Sequence, residues 1–325
     1  MNMLREHAVE LAKKGDYEAA YMMLREEAEN GDVDAYNDLG VIAERHGEYQ
    51  MAMKFYEFAH KCGVAVAARN IGIFYKKGIY VKKDYSKAIE YFTIAAERGY
   101  APAYDDLSMM AFDGLGMEKN DEKGLQYLLD GMKYENPEEP MLTTNAAYCY
   151  ECGIGTPADP KKAYALYKKA AKAANGCTLY NYGICILLGK GIKQNVNKGL
   201  DLLMQSAEKD YPDAFYQLYR VYNEGELVKA HKDLAEFWLY KAMEHHCMRA
   251  FLDYAEISLA KEEPKTIEAL FAISEYCLNM EENKDYQLLE DFKNKYPDLV
   301  DWDEFEKDPK GYVRKELEGI ANFIA

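Results

Sequence analysis

The stretch from Ala67 to Gly99 reads AARNIGIFYKKGIYVKKDYSKAIEYFTIAAERG, and it decides the fold. Apolar residues recur at helical spacing on both sides of a central glycine, Gly78. A left-handed cap at Gly78 would end a first helix, and Asp84 stands where the N-cap of a second helix belongs. The stretch therefore predicts a helix, a short loop and a second helix.

The same unit recurs along the chain. The glycine that ends the first helix returns in steps of 36, 39, 36 and 36 residues, at Gly78, Gly114, Gly153, Gly189 and Gly225. Small residues near the two ends of the second helix keep the same steps: Ala88, Gly124, Ala163, Gly199 and Ala235, then Ala95, Gly131, Ala170, Ser206 and Ala242. Short side chains let two antiparallel helices approach to about 8–10 Å. One such hairpin cannot bury its apolar faces alone, so we expect neighbouring hairpins to stack.

The ends of the chain vary this pattern. The segments AKKGDYEAA and AERHGEYQMA repeat each other with a step of 32 residues, from Gly15 to Gly47. The segment 255–277 predicts a last pair without the glycines, which makes eight helical pairs between about residues 2 and 279. Beyond them, 285–297 predicts one helix, 298–308 a connector, and 309–325 a last amphipathic helix.

The middle units resemble the Sel-one-like repeat, a family of the tetratricopeptide-like superfamily. Its unit of about 36 residues has an Ala, a Leu-Gly, a Tyr, G-x-G, an Asp, Lys-Ala and paired Ala before a Gly. The stretch 67–99 matches nearly throughout, while the next unit departs by Ser108 and Gly124. The resemblance implies an all-α, right-handed α-α superhelix (solenoid) of about eight helix-turn-helix repeats. Its predicted parts are two tetratricopeptide-like repeats (1–66), Sel-one-like repeats (67–280, the last one degenerate) and a helical C-terminal cap (281–325).

The resemblance also implies a non-enzymatic scaffold or adaptor that binds a peptide or helix of another protein in a concave groove. The first helix of each pair would line this groove, at positions set by the repeat. Aromatic and Arg side chains are frequent at binding hot spots, although each position could instead be plain surface or inter-repeat packing. The predicted protein-binding residues are Asn37, Arg69, Lys76, Asp105, Phe112, Thr144, Tyr148, Glu151, Tyr180, Tyr216, Arg220 and Asn223.

Other motifs could indicate catalysis or metal binding. Cys149 and Cys152 form a C-x-x-C, but they stand at the end of a first helix, whereas a reactive thiol needs a helix N-terminus. No second cysteine pair accompanies them as a zinc site would require. The G-x-G motifs lack the third glycine and the preceding strand of a dinucleotide site. Packing thiols and turn glycines are therefore the favoured interpretation, with no cofactor, no metal and no catalytic residue expected; a thiol or metal enzyme is the weakest alternative.

Charge and hydropathy limit the partners. The formal net charge is −16, which disfavours nucleic acid because Lys and Arg contacts to phosphate supply most of that affinity. No apolar run approaches the roughly 20 residues of a membrane-spanning helix, and the first twenty residues carry charges where a signal peptide needs an apolar core. Seven cysteines fit a reduced, cytoplasmic protein. The sequence leaves a homo-oligomer open, as it does a regulatory role in which Tyr312 to Ile324 occupies a surface of the same or a neighbouring copy.

Overall fold

The computed structural model of the chain describes residues 3–260, 272–273, 286–309 and 311–313. These residues form antiparallel helical hairpins, and no strand occurs within the described ranges. The chain divides into two compact units, Met1–Ala173 and Ala174–Ala325.

The N-terminal unit contains five consecutive hairpins, each made of a first helix, a turn and a second helix. A 3-10 turn, Ala171–Ala173, follows the last of them. The helices are α1 (Met3–Lys13), α2 (Tyr17–Glu29), α3 (Val33–Arg45), α4 (Tyr49–Lys61), α5 (Ala65–Lys77), α6 (Tyr85–Glu97), α7 (Ala101–Asp113), α8 (Asp121–Gly131), α9 (Met141–Cys152) and α10 (Pro160–Ala170).

The described part of the C-terminal unit contains two complete hairpins and the first helix of a third. Its helices are α11 (Gly176–Leu188), α12 (Val196–Ala207), α13 (Pro212–Glu224), α14 (Lys232–Glu244) and α15 (Met248–Leu259). Two shorter helices, Tyr286–Lys295 and Trp302–Lys307, come later. The second helix predicted for the eighth pair falls within 261–285, where the structure describes only residues 272–273.

Local sequence fixes where the hairpin helices end. Each of α5, α7, α9, α11 and α13 stops at a glycine in the left-handed conformation, as the repeat predicts. Each following helix begins at a residue whose side chain accepts a hydrogen bond from the backbone amide three residues on. These N-caps keep the repeat steps of 36, 39, 36 and 36: Asp84, Asn120, Asp159, Asn195 and His231.

The core of each hairpin follows the predicted small residues. Ala88 and Ala95 are fully buried on α6, and Phe92 lies between them on the same helix. A Cβ on Gly72 would stand 2.6 Å from a ring carbon of Phe92. Gly72, the glycine in the Leu-Gly position, therefore makes room for an aromatic ring of the second helix.

The C-terminal segment differs from the prediction at one place. The stretch 298–308, expected to be a connector, contains the helix Trp302–Lys307. Asp301 caps it by accepting a hydrogen bond from the Glu304 amide at 3.0 Å, and the ring of Trp302 contacts that of Phe305 with centroids 5.7 Å apart. A local cap combined with burial of Phe305 thus makes a helix where the sequence predicted a connector. Of the last predicted helix, 309–325, the described residues 311–313 are helical.

Candidate functional site

The first helices of the hairpins form one face in each unit, which we call the first-helix face. It is built from α1, α3, α5, α7 and α9 in the N-terminal unit, and from α11, α13 and α15 in the C-terminal unit. All twelve predicted protein-binding residues lie on these helices. The structure divides them by what their side chains contact.

Polar side chains connect successive first helices of the N-terminal unit. Asn70 Nδ2 donates to Asn37 Oδ1 at 3.0 Å, which joins α5 to α3. Arg69 Nε donates to Asp106 Oδ2 at 2.5 Å and joins α5 to α7. Lys76 Nζ lies 3.8 Å from the other oxygen of Asp106, so this buried carboxylate has two cations beside it.

The series continues on both sides of these contacts. Asn145 Nδ2 donates to Asp105 Oδ1 at 2.9 Å between α9 and α7, and Arg5 Nε donates to Asp38 at 2.6 Å between α1 and α3. In the C-terminal unit, Tyr216 Oη donates to Asp253 Oδ2 at 3.0 Å between α13 and α15. We call these contacts the polar ladder.

The five hydrogen bonds of the ladder obey one rule of sequence spacing. The bonded residues are separated by 33, 33, 37, 40 and 37 positions. Each separation is one more than the step between the repeats that it joins. The sequence prediction named one partner in four of these pairs and missed the other, namely Asn70, Asp106, Asn145 and Asp253; it named neither Arg5 nor Asp38. A search for complementary polar residues at one repeat length plus one would have found them.

Two carboxylates of the ladder are partly desolvated. Burial raises the pKa of Asp105 above its usual value, and the hydrogen bond from Asn145 opposes this rise. Burial likewise raises the pKa of Asp253, against the hydrogen bond from Tyr216. In both acids the ladder hydrogen bond therefore partly offsets the effect of burial on the pKa.

Phe112 lies inside its hairpin instead of projecting from the first-helix face. A Cβ on Gly124 would meet three carbon atoms of its ring. In α11 and α12 the equivalent residues, Leu187 and Gly199, make the same contact, because a Cβ added to Gly199 would stand 2.6 Å from Leu187 Cβ. Three other hairpins have alanine on the second helix and a polar residue at the first-helix position: Lys76 with Ala88, Glu151 with Ala163, and Asn223 with Ala235.

Two further predicted protein-binding residues form hydrogen bonds within their own hairpin. Glu151 accepts a hydrogen bond from Tyr167 Oη at 3.0 Å, which ties α9 to α10. Thr144 Oγ1 donates to the Pro140 carbonyl at 2.7 Å, one turn back along α9.

The C-terminal unit presents a different surface. Tyr180 is half-buried, with its ring 5.3 Å from that of Tyr211, and burial raises its pKa to about 12. Arg220 is exposed and holds Glu224 through Nε at 2.8 Å and Nη2 at 2.6 Å. Asn223 is exposed one turn further along α13.

Tyr148 is the predicted aromatic residue that remains open to solvent, with 55% of its surface exposed. It borders a cleft of about 470 Å³ on the first-helix face of the N-terminal unit. Met109 of α7 also borders this cleft and is 44% exposed. The deeper wall consists mainly of apolar side chains from three helices and one turn: Phe112, Leu128, Cys149 and Ile154.

Among the described residues, the thiols and histidines lie in packing or exposed positions. Burial raises the pKa of Cys149 to about 11, so its thiol stays protonated at neutral pH. Cys152 is exposed. His245 stacks on Phe215 with centroids 4.4 Å apart. Across the described part of the chain, no three His, Cys, Asp or Glu side chains are grouped as a metal ion would require.

Helix length and hydropathy decide whether a segment can span a membrane. Among the described helices, none is both long enough and apolar enough to cross a bilayer.

Comparison with known proteins identifies the repeated unit. The family model described as Sel1 repeat matches residues 65–100, 101–129, 143–175 and 178–211. Among curated proteins, chitin synthase regulatory factor 3 of Schizosaccharomyces pombe is 28% identical over 254 residues, covering 74% of this chain and 26% of that protein. Regulatory factor 2 of the same organism is 27% identical over 117 residues, covering 34% of this chain and 23% of that protein. The chain thus spans about a quarter of the length of these relatives.

Solved structures share the fold. The protective antigen c5321 of uropathogenic Escherichia coli, which displays an SLR fold, superposes with a TM-score of 0.61 at 24% identity, over 80% of this chain and 56% of that one. A Sel1 repeat protein from Oxalobacter formigenes superposes with a TM-score of 0.63 at 22% identity, over 74% of this chain and 98% of that one. These likenesses confirm the predicted all-α solenoid class.

Proposed function

Because this chain is a Sel1 repeat protein, with four such repeats between residues 65 and 211, we propose that it is a non-enzymatic scaffold that holds a segment of another protein on its first-helix face. Proteins built from Sel1 repeats generally act as protein-interaction scaffolds. The two curated relatives are named as regulatory factors, which supports an action through another protein.

The observation that carries this proposal is the cleft beside Tyr148. Large side chains with apolar bodies are costly to leave in water, and two of them, Tyr148 and Met109, border the same concave surface. The cleft has the volume of ordinary ligand pockets, about 300–1,000 Å³. A partner side chain placed there would displace water from both residues and from the apolar wall behind them.

The polar ladder supports the proposal indirectly. It ties α5 to α7 and α7 to α9 through buried or half-buried polar groups, so the two helices that flank the cleft are held in register before any partner arrives. A preorganised surface loses less conformational entropy on binding.

The thiol chemistry favours a scaffold over an enzyme. Cys149 lies at the C-terminal end of α9, where the helix dipole disfavours a thiolate, and burial raises its pKa further. A nucleophilic cysteine needs the opposite environment.

Site-specific photo-crosslinking tests the proposal. A photoreactive phenylalanine analogue would replace Tyr148 in one variant and Tyr80 in a control, and each full chain would be irradiated in lysate of its native organism. Tyr80 is the matched control because it is also 55% exposed and lies in the turn after α5. A discrete adduct at 148 that is absent at 80 is the expected result, whereas the same adducts at both positions, or none at 148, would refute the proposed site.

For the C-terminal segment we propose the role of a cap. Leu289, Phe292 and Phe305 are buried against Phe251 and Leu252 of α15. This burial supports a structural role for 286–309 over a free regulatory arm. Deleting 286–325 should then lower the thermal midpoint of the chain without removing the adduct at position 148.

A further inference from the structure

We infer that the segment held in the cleft beside Tyr148 is basic and carries one large apolar side chain as its anchor. This inference rests on the proposed function and names the chemistry of the partner.

Charge is distributed unevenly along the chain. Residues 101–152, which run from the start of α7 to the end of α9, contain three basic and eleven acidic residues, a net charge of −8. The whole chain carries −16. Half of the net negative charge therefore belongs to a 52-residue segment that supplies ten of the eleven residues lining the cleft, and the local potential favours a cation.

Acidic side chains also stand at the cleft itself. Asp113 and Asp121 both line it. Lys119 is the basic residue in the lining, and its Nζ lies 4.0 Å from Asp121 with the side chain 68% exposed. Such a long, exposed ion pair is weak. Lys119 therefore neutralises little of the negative charge that Asp113 and Asp121 place at the rim of the cleft.

The apolar wall of the cleft determines which kind of partner side chain can serve as the anchor. Leu128 and Cys149 are almost fully buried and the ring of Phe112 lies close over Gly124, so the back of the cleft is an apolar surface. It accepts a side chain such as Phe, Leu or Met. A charged group placed against it would lose its hydration without gaining a partner.

The opposite charge pattern occurs one repeat earlier. Lys76, Lys77, Lys82, Lys83 and Lys87 surround the turn between α5 and α6, where Asp84 is the acidic residue. A second copy of the chain could therefore offer this turn to the cleft of the first. A free basic segment is the occupant we favour, because Lys76 already contacts Asp106 within its own chain, and the second copy becomes an outcome of the test.

Peptide selection tests the inference. A displayed library of random peptides of about twelve residues would be selected on the immobilised full chain and counter-selected on the Tyr148→Ser variant. We expect the surviving peptides to share a net positive charge and one large apolar residue. Tyr148→Ser should weaken a surviving peptide at least about tenfold, as for a hot-spot aromatic. Because Tyr148 is more than half exposed, circular dichroism and the thermal midpoint of this variant should match the parent.

A charge variant tests the rim separately. Asp113→Asn with Asp121→Asn should weaken the same peptide about three- to tenfold at low salt and reduce its salt dependence. Glu90→Gln with Glu97→Gln makes the same charge change at exposed positions of α6 that do not line the cleft, and should leave affinity within about twofold.

The outcomes separate the inference from the proposed function. Neutral or acidic peptides that depend on Tyr148 would overturn the charge inference and leave the scaffold proposal standing. A library that yields no Tyr148-dependent peptide would overturn both. A dimer of the chain that dissociates on Tyr148→Ser, seen by sedimentation, would assign the cleft to a second copy and overturn the free basic segment.

Discussion

The ring of Phe112 lies so close over Gly124 that a Cβ added to Gly124 would stand 2.5 Å from Cδ1 and 2.7 Å from Cζ of the ring. Phe112 comes from the first helix of its hairpin and Gly124 from the second. The repeat pattern predicts that Phe112 belongs to the first-helix face. Because of this contact, Phe112 instead forms part of the back wall of the cleft beside Tyr148. Glycine on the second helix and an apolar residue on the first occur together here and again at Leu187 and Gly199.

Gly124→Ala should destabilise the protein. Replacing glycine by alanine inside a helix ordinarily stabilises by about 1 kcal/mol, but overpacking a filled core costs about 1–3 kcal/mol. Because the ring is confined, we expect the second effect to dominate in urea denaturation. Adding Phe112→Lys recreates the pair that the preceding hairpin has in Lys76 and Ala88, and should recover part of the loss. A stabilised single variant would show that the ring moves aside freely.

Gly155→Ala should cost more than Gly47→Ala. Both glycines have positive φ, at 67° and 75°, so alanine at either one costs about 1–2 kcal/mol in backbone strain. A Cβ on Gly155 would also overlap the carbonyl oxygen of Asp121 in the preceding hairpin, whereas one on Gly47 would meet nothing within 4 Å. We expect Gly155→Ala to be about 1–3 kcal/mol more destabilising in urea. Equal losses would show that the hairpins can separate at this point without cost.

Arg69→Met should destabilise the N-terminal unit by about 1–3 kcal/mol. The change leaves the buried Asp106 with Lys76 at 3.8 Å as its remaining cation, and a buried acceptor that loses its partner costs that much. Arg25→Met breaks an exposed pair with Glu29 and should cost at most about 0.5 kcal/mol. Thermal unfolding of both variants beside the parent makes the comparison, and equal midpoints would mean that the ladder contributes no stability.

Because of Asp253, the free energy of unfolding should increase as the pH falls through the range in which this side chain titrates in the folded state. Burial raises its pKa in the folded state above the usual 3.8, so between these two values the folded chain binds more protons than the unfolded chain. The free energy of unfolding therefore falls as pH rises through that window. Asp253→Asn should remove this contribution, so that the parent loses stability relative to the variant as pH increases just above 3.8.

Tyr216→Phe tests the same pH window, which lies between the pKa values of Asp253 in the unfolded and folded states. It removes a hydrogen bond that lowers the pKa of Asp253, so the folded-state pKa should rise further and the window should extend to higher pH. Urea denaturation across a pH series measures both variants. If the parent and Asp253→Asn show the same pH profile, this carboxylate does not titrate differently in the two states.

A maleimide at neutral pH should modify Cys62 and Cys152 and spare Cys149 and Cys247. The first two are exposed, and the last two are buried with pKa values raised by burial to about 11. The reactive form is the thiolate, so protonated buried thiols react slowly. Mass spectrometry of tryptic peptides gives the pattern, and unfolding in urea should make all seven cysteines react. Fast modification of Cys149 in the folded protein would contradict its assignment as a packing residue.

Local features of the fold could be predicted because they depend on residues close in sequence. Gly78 ends α5 through its own backbone conformation, and Asp84 begins α6 through a bond to an amide three residues away. The helix Trp302–Lys307 was missed because Phe305 is buried in a cluster that no local pattern reveals.

The candidate site could be predicted only as a set of positions. Register placed Arg69, Asp105 and Tyr148 on one face, but it did not show that Arg69 and Asp105 are bonded to the next helices while Tyr148 stays exposed. These assignments depend on side chains 37 and 40 residues apart.

The sequence by itself determined the repeated hairpin, its caps and its family resemblance, because glycine, asparagine and aspartate act on the backbone within a few residues. The tertiary structure alone decided which polar residues join the ladder, where Phe112 turns inward, and where the cleft beside Tyr148 opens. Those outcomes depend on contacts between side chains that are far apart in the sequence. Such side chains come close to one another only when the hairpins are packed together.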